Sequence, residues 1–365
     1  MSLTLTNYWW LLIWLFVGGA ICSYFPKRRE VLGDQVVTRW DIWPAIILVL
    51  PYIIWAGYRG NVADTKLYRA GFFRTPSSLA SIPTTLSSDI KDPGFTVLVT
   101  LIKLIIGEQD TAYFLIIAAL QLLCMAFIYR KYSSNYWLCI FLFIASTDYM
   151  SWVFNGMRQF VAVTVIFACF EWLLKKKYIP LVAVILLVST IHGSAIMMIP
   201  IVFIVQGKAW NFKTMLMMLA TVVVVVFIDR FTPIMNDLLQ DTQYDDALSD
   251  SMDDGTNAIR VLVYSVPALL SLVGLKYVRA ADDPVINICV NCSIATMAIY
   301  LVSMVTSGIY IGRLPIYTTL HGYMAVPWLI DNIFEKRSAK LVTYIMVVMF
   351  CAFFYFQMGF TWNYL

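Results

Sequence analysis

The stretch TAYFLIIAALQLLCMAFIY, residues 111–129, closed at once by Arg130-Lys131, decides the fold class. It carries no charge, and as a helix rising 1.5 Å per residue it reaches across roughly 30 Å of hydrocarbon. Comparable runs predict spans near 8–25, 41–58, 135–149, 159–174, 178–191, 194–206, 214–229, 258–277, 285–305, 313–331 and 341–358, twelve in all with 111–129. The 365 residues are 61% hydrophobic and 13% charged, against about 45–50% and about 25% in soluble domains. A soluble enzyme, a disordered chain and a disulfide scaffold are excluded on those figures. The expectation is an all-α, polytopic transmembrane helical bundle, with residues 1–365 forming one integral membrane domain.

Orientation follows from the excess of Lys and Arg in short cytoplasmic loops. Lys27-Arg28-Arg29, Arg130-Lys131, Lys175-Lys176-Lys177, Lys208 with Lys213, Lys276 with Arg279, and Lys336-Arg337 with Lys340 mark six inner positions. An alternating path satisfies all six with both termini outside, provided that residues 95–129 cross once. The apolar run 95–107 is short and contains Lys103, so a re-entrant or interfacial helix is predicted there. The outer side then holds seven arginines, Arg59, Arg69, Arg74, Arg158, Arg230, Arg260 and Arg313, with only Lys66 and Lys91 beside them. Topology does not require these. A guanidinium fork grips phosphate or carboxylate bidentately, so an outer arginine cluster points to a diphosphate or acidic ligand. The alternative partners for some of them are outer acids such as Asp64, Asp148 and Asp229.

The outer loop 58–94 is the polar stretch of most interest. Asp64 and Tyr68 stand four apart with Arg69 adjoining, so a short helix places the first two on one face. At 155–159 the chain reads Asn-Gly-Met-Arg-Gln before an inward-going span. Arg158 and Gln159 therefore fall on the first turn of a helix whose N-terminus, with its unpaired N–H groups and positive dipole end, attracts an anion. His192 lies in a turn of small residues, STIHGSA, open enough for a hydroxyl to approach a neutral imidazole. His321 is expected to pack internally. Tyr310, Arg313 and Tyr317 cluster at the outer end of a late span, where aromatics form an interfacial belt or stack on sugars. The outer loop 229–257 carries eight Asp against one Arg and reads as a solvated or carbohydrate-facing loop. It lacks the spacing of a calcium loop. Cys289 and Cys292 read as two small core residues. No metal-site spacing is present, no cofactor is implied, and a net charge of +4 gives no basis for a nucleic-acid partner.

Taken in order, RGNVADTKLYRAGF (59–72), DPGF (92–95), NGMRQFVAV (155–163) and STIHGSAIMMIP (189–200) resemble the EpsG family of Wzy-type polysaccharide polymerases, over about residues 50–335. The resemblance implies a multi-pass protein of the bacterial plasma membrane that extends exopolysaccharide, capsule or O-antigen chains on polyprenyl diphosphate at the outer face. Its donor and acceptor are then polyprenyl-diphosphate-linked oligosaccharides in the lipid bilayer. A chain-length regulator or a flippase is a candidate protein partner. Carried over by motif, Arg59, Asp64, Tyr68, Arg158, Gln159 and His192 become functional positions.

The chemistry expected is a metal-independent glycosyl transfer. Arginines, Arg158 first, with Arg59, Arg69, Arg260 and Arg313 as further candidates, stabilise the departing diphosphate. His192 is the first candidate for the base on the acceptor hydroxyl and Asp64 the second. Tyr68, Asn155, Gln159, Arg74 and Tyr310 are expected to contact substrate. The competing functions are a flippase or exporter of lipid-linked oligosaccharide and a membrane O-acyltransferase acting on glycan. A transport path calls for charges through the bilayer, whereas the polar groups here gather on one side.

Overall fold

The computed structural model describes residues 8–32, 35–88, 90–228, 230, 255–360 and 362. It is 79% helical with almost no sheet and divides into two compact units, Met1–Ile196 with Glu335–Leu365, and Met197–Phe334. The first unit contains α1 (Trp10–Ser23), a hairpin of β1 (Lys27–Leu32) and β2 (Gln35–Trp40), α2 (Ile42–Gly57), α3 (Thr65–Arg74), α4 (Ile82–Ser87), α5 (Pro93–Ile106), α6 (Asp110–Tyr132), α7 (Tyr136–Ala145), α8 (Met157–Ala168), α9 (Phe170–Leu174) and α10 (Tyr178–Ser189). The second contains α11 (Met198–Ile204), α12 (Phe212–Val226), α13 (Ala258–Val273), α14 (Leu275–Ala281), α15 (Pro284–Met304) and α16 (Ile316–Ile333). The last helix, α17 (Lys336–Phe360), belongs to the first unit.

The protein is membrane-embedded. Met215, Leu219, Val222 and Val226 stand exposed on α12, as do Leu341, Ile345 and Val348 on α17. Apolar faces of that extent are stable in lipid and costly in water. Among the described residues three helices, Asp110–Tyr132, Pro284–Met304 and Lys336–Gly359, are long and apolar enough to cross a bilayer, and two bent pairs raise this to five. Of the remaining predicted spans, 313–331 is the 18-residue α16, which is not apolar enough to qualify, and the others are shorter or interrupted apolar helices; the interruptions have local causes. The run 135–149 stops at Ala145, where Thr147 takes φ +65°. A π-helical turn, Tyr149–Asn155, follows at 71° to α7. The predicted span 159–174 starts at Met157 and breaks between α8 and α9 at Cys169. The run 258–277 bends by 72° at Gly274.

The hairpin is an addition to the all-α expectation. β1 and β2 pair antiparallel, Arg28 opposite Arg39 and Lys27 opposite Trp40. The basic residues read as an inner loop thus lie on strands. The predicted helix at 95–107 is present as α5, whose 14 residues extend only about 21 Å. Lys103 is 3% exposed and donates to three backbone carbonyls of the α3 C-terminal turn, Phe72 (3.1 Å), Phe73 (3.1 Å) and Thr75 (2.9 Å). The lone lysine in an apolar run is a cap for a neighbouring helix. The acidic loop 229–257 lies mostly outside the described residues. His321 is buried, with Nδ1 3.2 Å from the Thr318 carbonyl oxygen.

Behind the site, an aromatic core fixes the π-helical turn. Tyr52 donates to Leu11 O and Tyr149 to Tyr52 O, each at 2.6 Å. Trp55 stacks on Tyr149 and packs tilted against Phe154, with centroids 5.9 and 5.2 Å away. α6 runs beside this core, its acidic first turn at Asp110 and basic last turn at Arg130-Lys131 matched to the helix dipole.

Candidate active site

α3 presents one continuous face, Asp64, Leu67, Tyr68, Gly71, Phe72 and Thr75, spaced by three and four as a helical stripe requires. With Phe95, Thr96 and Val99 of α5, Tyr113 of α6 and Arg158 of α8, that face encloses a cavity of about 310 Å³. The volume is at the small end of ligand pockets; it admits a head group or a short segment of a ligand, never a whole oligosaccharide.

The charged groups collect where α3 begins. The Asn155 amide, turned to donate, reaches the two Asp64 oxygens at 2.9 and 3.3 Å. The Tyr68 hydroxyl donates to the Asn155 carbonyl at 3.0 Å and accepts from the Arg158 N–H at 3.5 Å. Burial pushes the Tyr68 hydroxyl above its ordinary pKa, and the Arg158 charge partly offsets this. Arg158 lies on the first turn of α8, as the sequence predicts. Its Nη1 is 3.0 Å from Asp92 Oδ2, which is buried and accepts no aligned hydrogen bond. The guanidinium is thus held by charge on one side while it lines the cavity on the other.

Asp92 is the residue that sequence reading missed. It stands at φ +58° just before α5, and its Oδ1 accepts from Gly193 N at 3.3 Å. Next to it, Gly94 N donates to Thr190 O at 2.9 Å. A Cβ on Gly94 would stand 2.1 Å from Thr190 Oγ1 and 2.8 Å from the Thr190 carbonyl carbon, so only glycine permits this approach. The DPG stretch therefore brackets the turn that carries His192 against Arg158. The sequence signal was the Asp-Pro-Gly triplet itself, which reads as a helix start and not as a ligand for an arginine.

The other expected residues take varied places. His192 is half-buried after α10, its Nδ1 2.8 Å from Ser194 Oγ, and it is not on the cavity wall. Arg59 is 3% exposed and sits between Phe114 and Phe154, at 4.6 and 4.4 Å from their centroids. It donates to Val153 O at 2.8 Å and to Ala56 O. Burial lowers its pKa to about 10, so it stays charged at neutral pH; its Nη2 is buried without a hydrogen-bond partner. Arg69 pairs with Asp110 at 2.6 Å and donates to Asn61 at 2.9 Å. The acids that meet Arg158 and Arg69 are Asp92 and Asp110, outer acids other than the Asp64, Asp148 and Asp229 singled out from the sequence. Arg74 is exposed in the last turn of α3, and Gln159 is buried beside Arg158. Arg260, Tyr310 and Arg313 belong to the second unit. Arg260 lies 5.7 Å from the Tyr264 ring centroid, and Arg313 occupies a 3₁₀ turn, Ile311–Arg313, that follows Tyr310 ahead of α16.

The EpsG family model matches residues 42–362. No curated protein and no solved structure matches the chain.

Proposed function

Because the chain belongs to the EpsG family, whose members are associated with polysaccharide polymerase activity, we propose that it is a membrane glycosyltransferase that lengthens a glycan carried on polyprenyl diphosphate, at the outer face of the bacterial plasma membrane. The acceptor is a hydroxyl of a second lipid-linked repeat. That oxygen attacks the anomeric carbon of the donor, the bond from that carbon to the diphosphate oxygen breaks, and the hydroxyl proton goes to a base. Asp64 takes the base role in this reading, because it shares the cavity wall with Arg158 and is positioned by the Asn155 amide. His192, one residue from the Asp92 contact, is the second candidate. Arg158, backed by the N-terminus of α8, receives the negative charge that develops on the departing diphosphate. Arginine in that seat does the work that a divalent cation does elsewhere. Arg59 braces the π-helical turn through Val153, and Tyr68 ties Asn155 to Arg158.

A topology goes with the proposal: twelve crossings with both termini outside, α5 re-entrant or interfacial, and residues 58–94 as an outer functional loop. The observation that carries the reading is the meeting of one carboxylate and one guanidinium on a single cavity wall. The test is polymer formation from defined lipid-diphosphate oligosaccharides by purified protein, with and without chelator. Arg158→Ala is expected to lower the rate by about 10²–10³-fold, as for loss of one charge-stabilising donor, and Asp64→Asn to abolish it, while single repeats remain unextended. Polymer of normal length from both variants refutes the proposal.

A further inference from the structure

Gly71 lies in the interior of α3 at an ordinary helical φ, and a Cβ built on it meets nothing within 4 Å. Neither backbone conformation nor packing within the protein explains it. Gly94, Gly57 and Gly156, by contrast, each face an atom closer than 3 Å. Glycine inside a helix costs about 0.5–1 kcal/mol relative to alanine, and here that cost leaves open space on the cavity wall.

The wall changes character along α3. Asp64, Tyr68 and Arg158 crowd its first turn, whereas Leu67, Gly71, Phe72, Phe95 and Val99 form an apolar wall beyond. Of the four hydroxyls among the cavity residues, that of Thr75 is spent on the Gly71 carbonyl at 2.9 Å and that of Tyr68 on the Asn155 carbonyl at 3.0 Å, which leaves those of Thr96 and Tyr113. A sugar ring needs several converging hydrogen-bond groups, and the side chains of Leu67, Gly71 and Phe72 along α3 offer none. An apolar chain needs only the space and the loss of water. Leu67 is 72% exposed, so an apolar side chain of the wall is open to what surrounds the protein.

We infer that Gly71 keeps the cavity open for the first isoprenoid units of the lipid diphosphate, with the diphosphate at Arg158 and the chain laid along α3 over the glycine. Gly71 is thereby a specificity-determining residue for the lipid and not for the sugar. The inference rests on the phosphate seat proposed above, and the experiment separates the two.

Binding of inorganic diphosphate and of farnesyl diphosphate to purified protein is measured for wild type, Gly71→Ala, Gly71→Leu and Arg158→Ala. Both Gly71 variants are expected to keep or raise the thermal unfolding temperature, since their side chains enter empty space. Wild type binds farnesyl diphosphate more tightly than diphosphate. Gly71→Leu removes that advantage, a loss of about tenfold or more for a few methylenes returned to water, and leaves inorganic diphosphate within twofold. Gly71→Ala falls between. Equal loss of both probes in Gly71→Leu, no loss of either, or a wild type that gains nothing from the chain overturns the inference while the phosphate seat stands. Wild-type binding of both probes that Arg158→Ala leaves intact refutes the phosphate seat, and with it the inference. So does a wild type that binds neither.

Discussion

Replacing Lys103 with Met tests how the cavity wall is held. The ammonium is buried and spends its three protons on the carbonyls of Phe72, Phe73 and Thr75. It also stands 3.0 Å from Glu108, whose 63% exposed side chain makes that contact weak. Methionine fills similar volume and supplies no donor, so the three carbonyls lose the lysine together, and that of Phe72 keeps only the Thr75 N–H at 3.3 Å. A carbonyl left dry costs roughly 1–3 kcal/mol. Phe72 is buried, while Phe73 is exposed and Thr75 half-buried, so water replaces the lysine at two of the three. The expected total is about 2 kcal/mol, which opens the C-terminal half of α3 about 30 times more often. Amide hydrogen exchange over residues 65–75 reads this directly, with α6 as an internal reference. Lys103→Arg falls between, because a planar fork does not converge on three carbonyls as an ammonium does. Protection of α3 in Lys103→Met within threefold of wild type refutes the view that this lysine holds the wall.

Three further outcomes are expected. Gly94→Ala drives a Cβ into Thr190 and lowers stability by about 1–3 kcal/mol; Thr190→Ala restores only part of it, because the 2.8 Å contact is with backbone, and full restoration in a double-mutant cycle counts against the close approach. The Tyr68 hydroxyl is raised above the ordinary tyrosine value by burial, so between roughly pH 10 and its own pKa the folded state binds more protons than the unfolded one, and stability falls as pH rises through that window. Tyr68→Phe flattens that slope in unfolding measured from pH 9 to 11, and an unchanged slope removes the buried phenol from the account. On a cysteine-free background, a membrane-impermeant thiol reagent applied to whole cells labels Lys66→Cys and not Lys176→Cys; the reverse pattern inverts the topology.

What the sequence disclosed and what it hid divide along physical lines. The i, i+4 spacing of Asp64 and Tyr68 and the helix start at Arg158 are local facts, and both stand in the structure. The acid that meets Arg158 is a tertiary fact: Asp92 is far away in the chain, and nothing local distinguishes it from Asp64 or Asp148 as a partner. Lys103 was visible as an anomaly in an apolar run, but its meaning lies in the carbonyls of another helix. The hairpin was hidden differently. Its strands KRREVL and QVVTRW flank Gly33-Asp34, a turn signal, yet the charges that mark orientation obscured the alternation. The bend after Ala145 turns on the positive φ of Thr147, a conformation that no threonine announces.

The contacts that assemble the charged end are mostly with backbone. Tyr68 reaches the carbonyl of Asn155, Gly193 offers its N–H to Asp92, Gly94 bonds the carbonyl of Thr190, and Arg59 holds that of Val153. These backbone contacts fix Asn155 and Asp92, whose side chains in turn meet Asp64 and Arg158, so the charged pair is set in place before a substrate arrives. Preorganised charge of this kind is what stabilises a developing anion without reorganisation at the moment of reaction. Along the rest of α3, Leu67 is exposed and Gly71 faces open space, and nothing comparable pins them. On the proposed function, the charged end and the apolar end of one cavity are built to different tolerances: substitutions at positions 67 and 71 are expected to change what is accepted, and substitutions around Asp92 and Asn155 how fast the bond breaks.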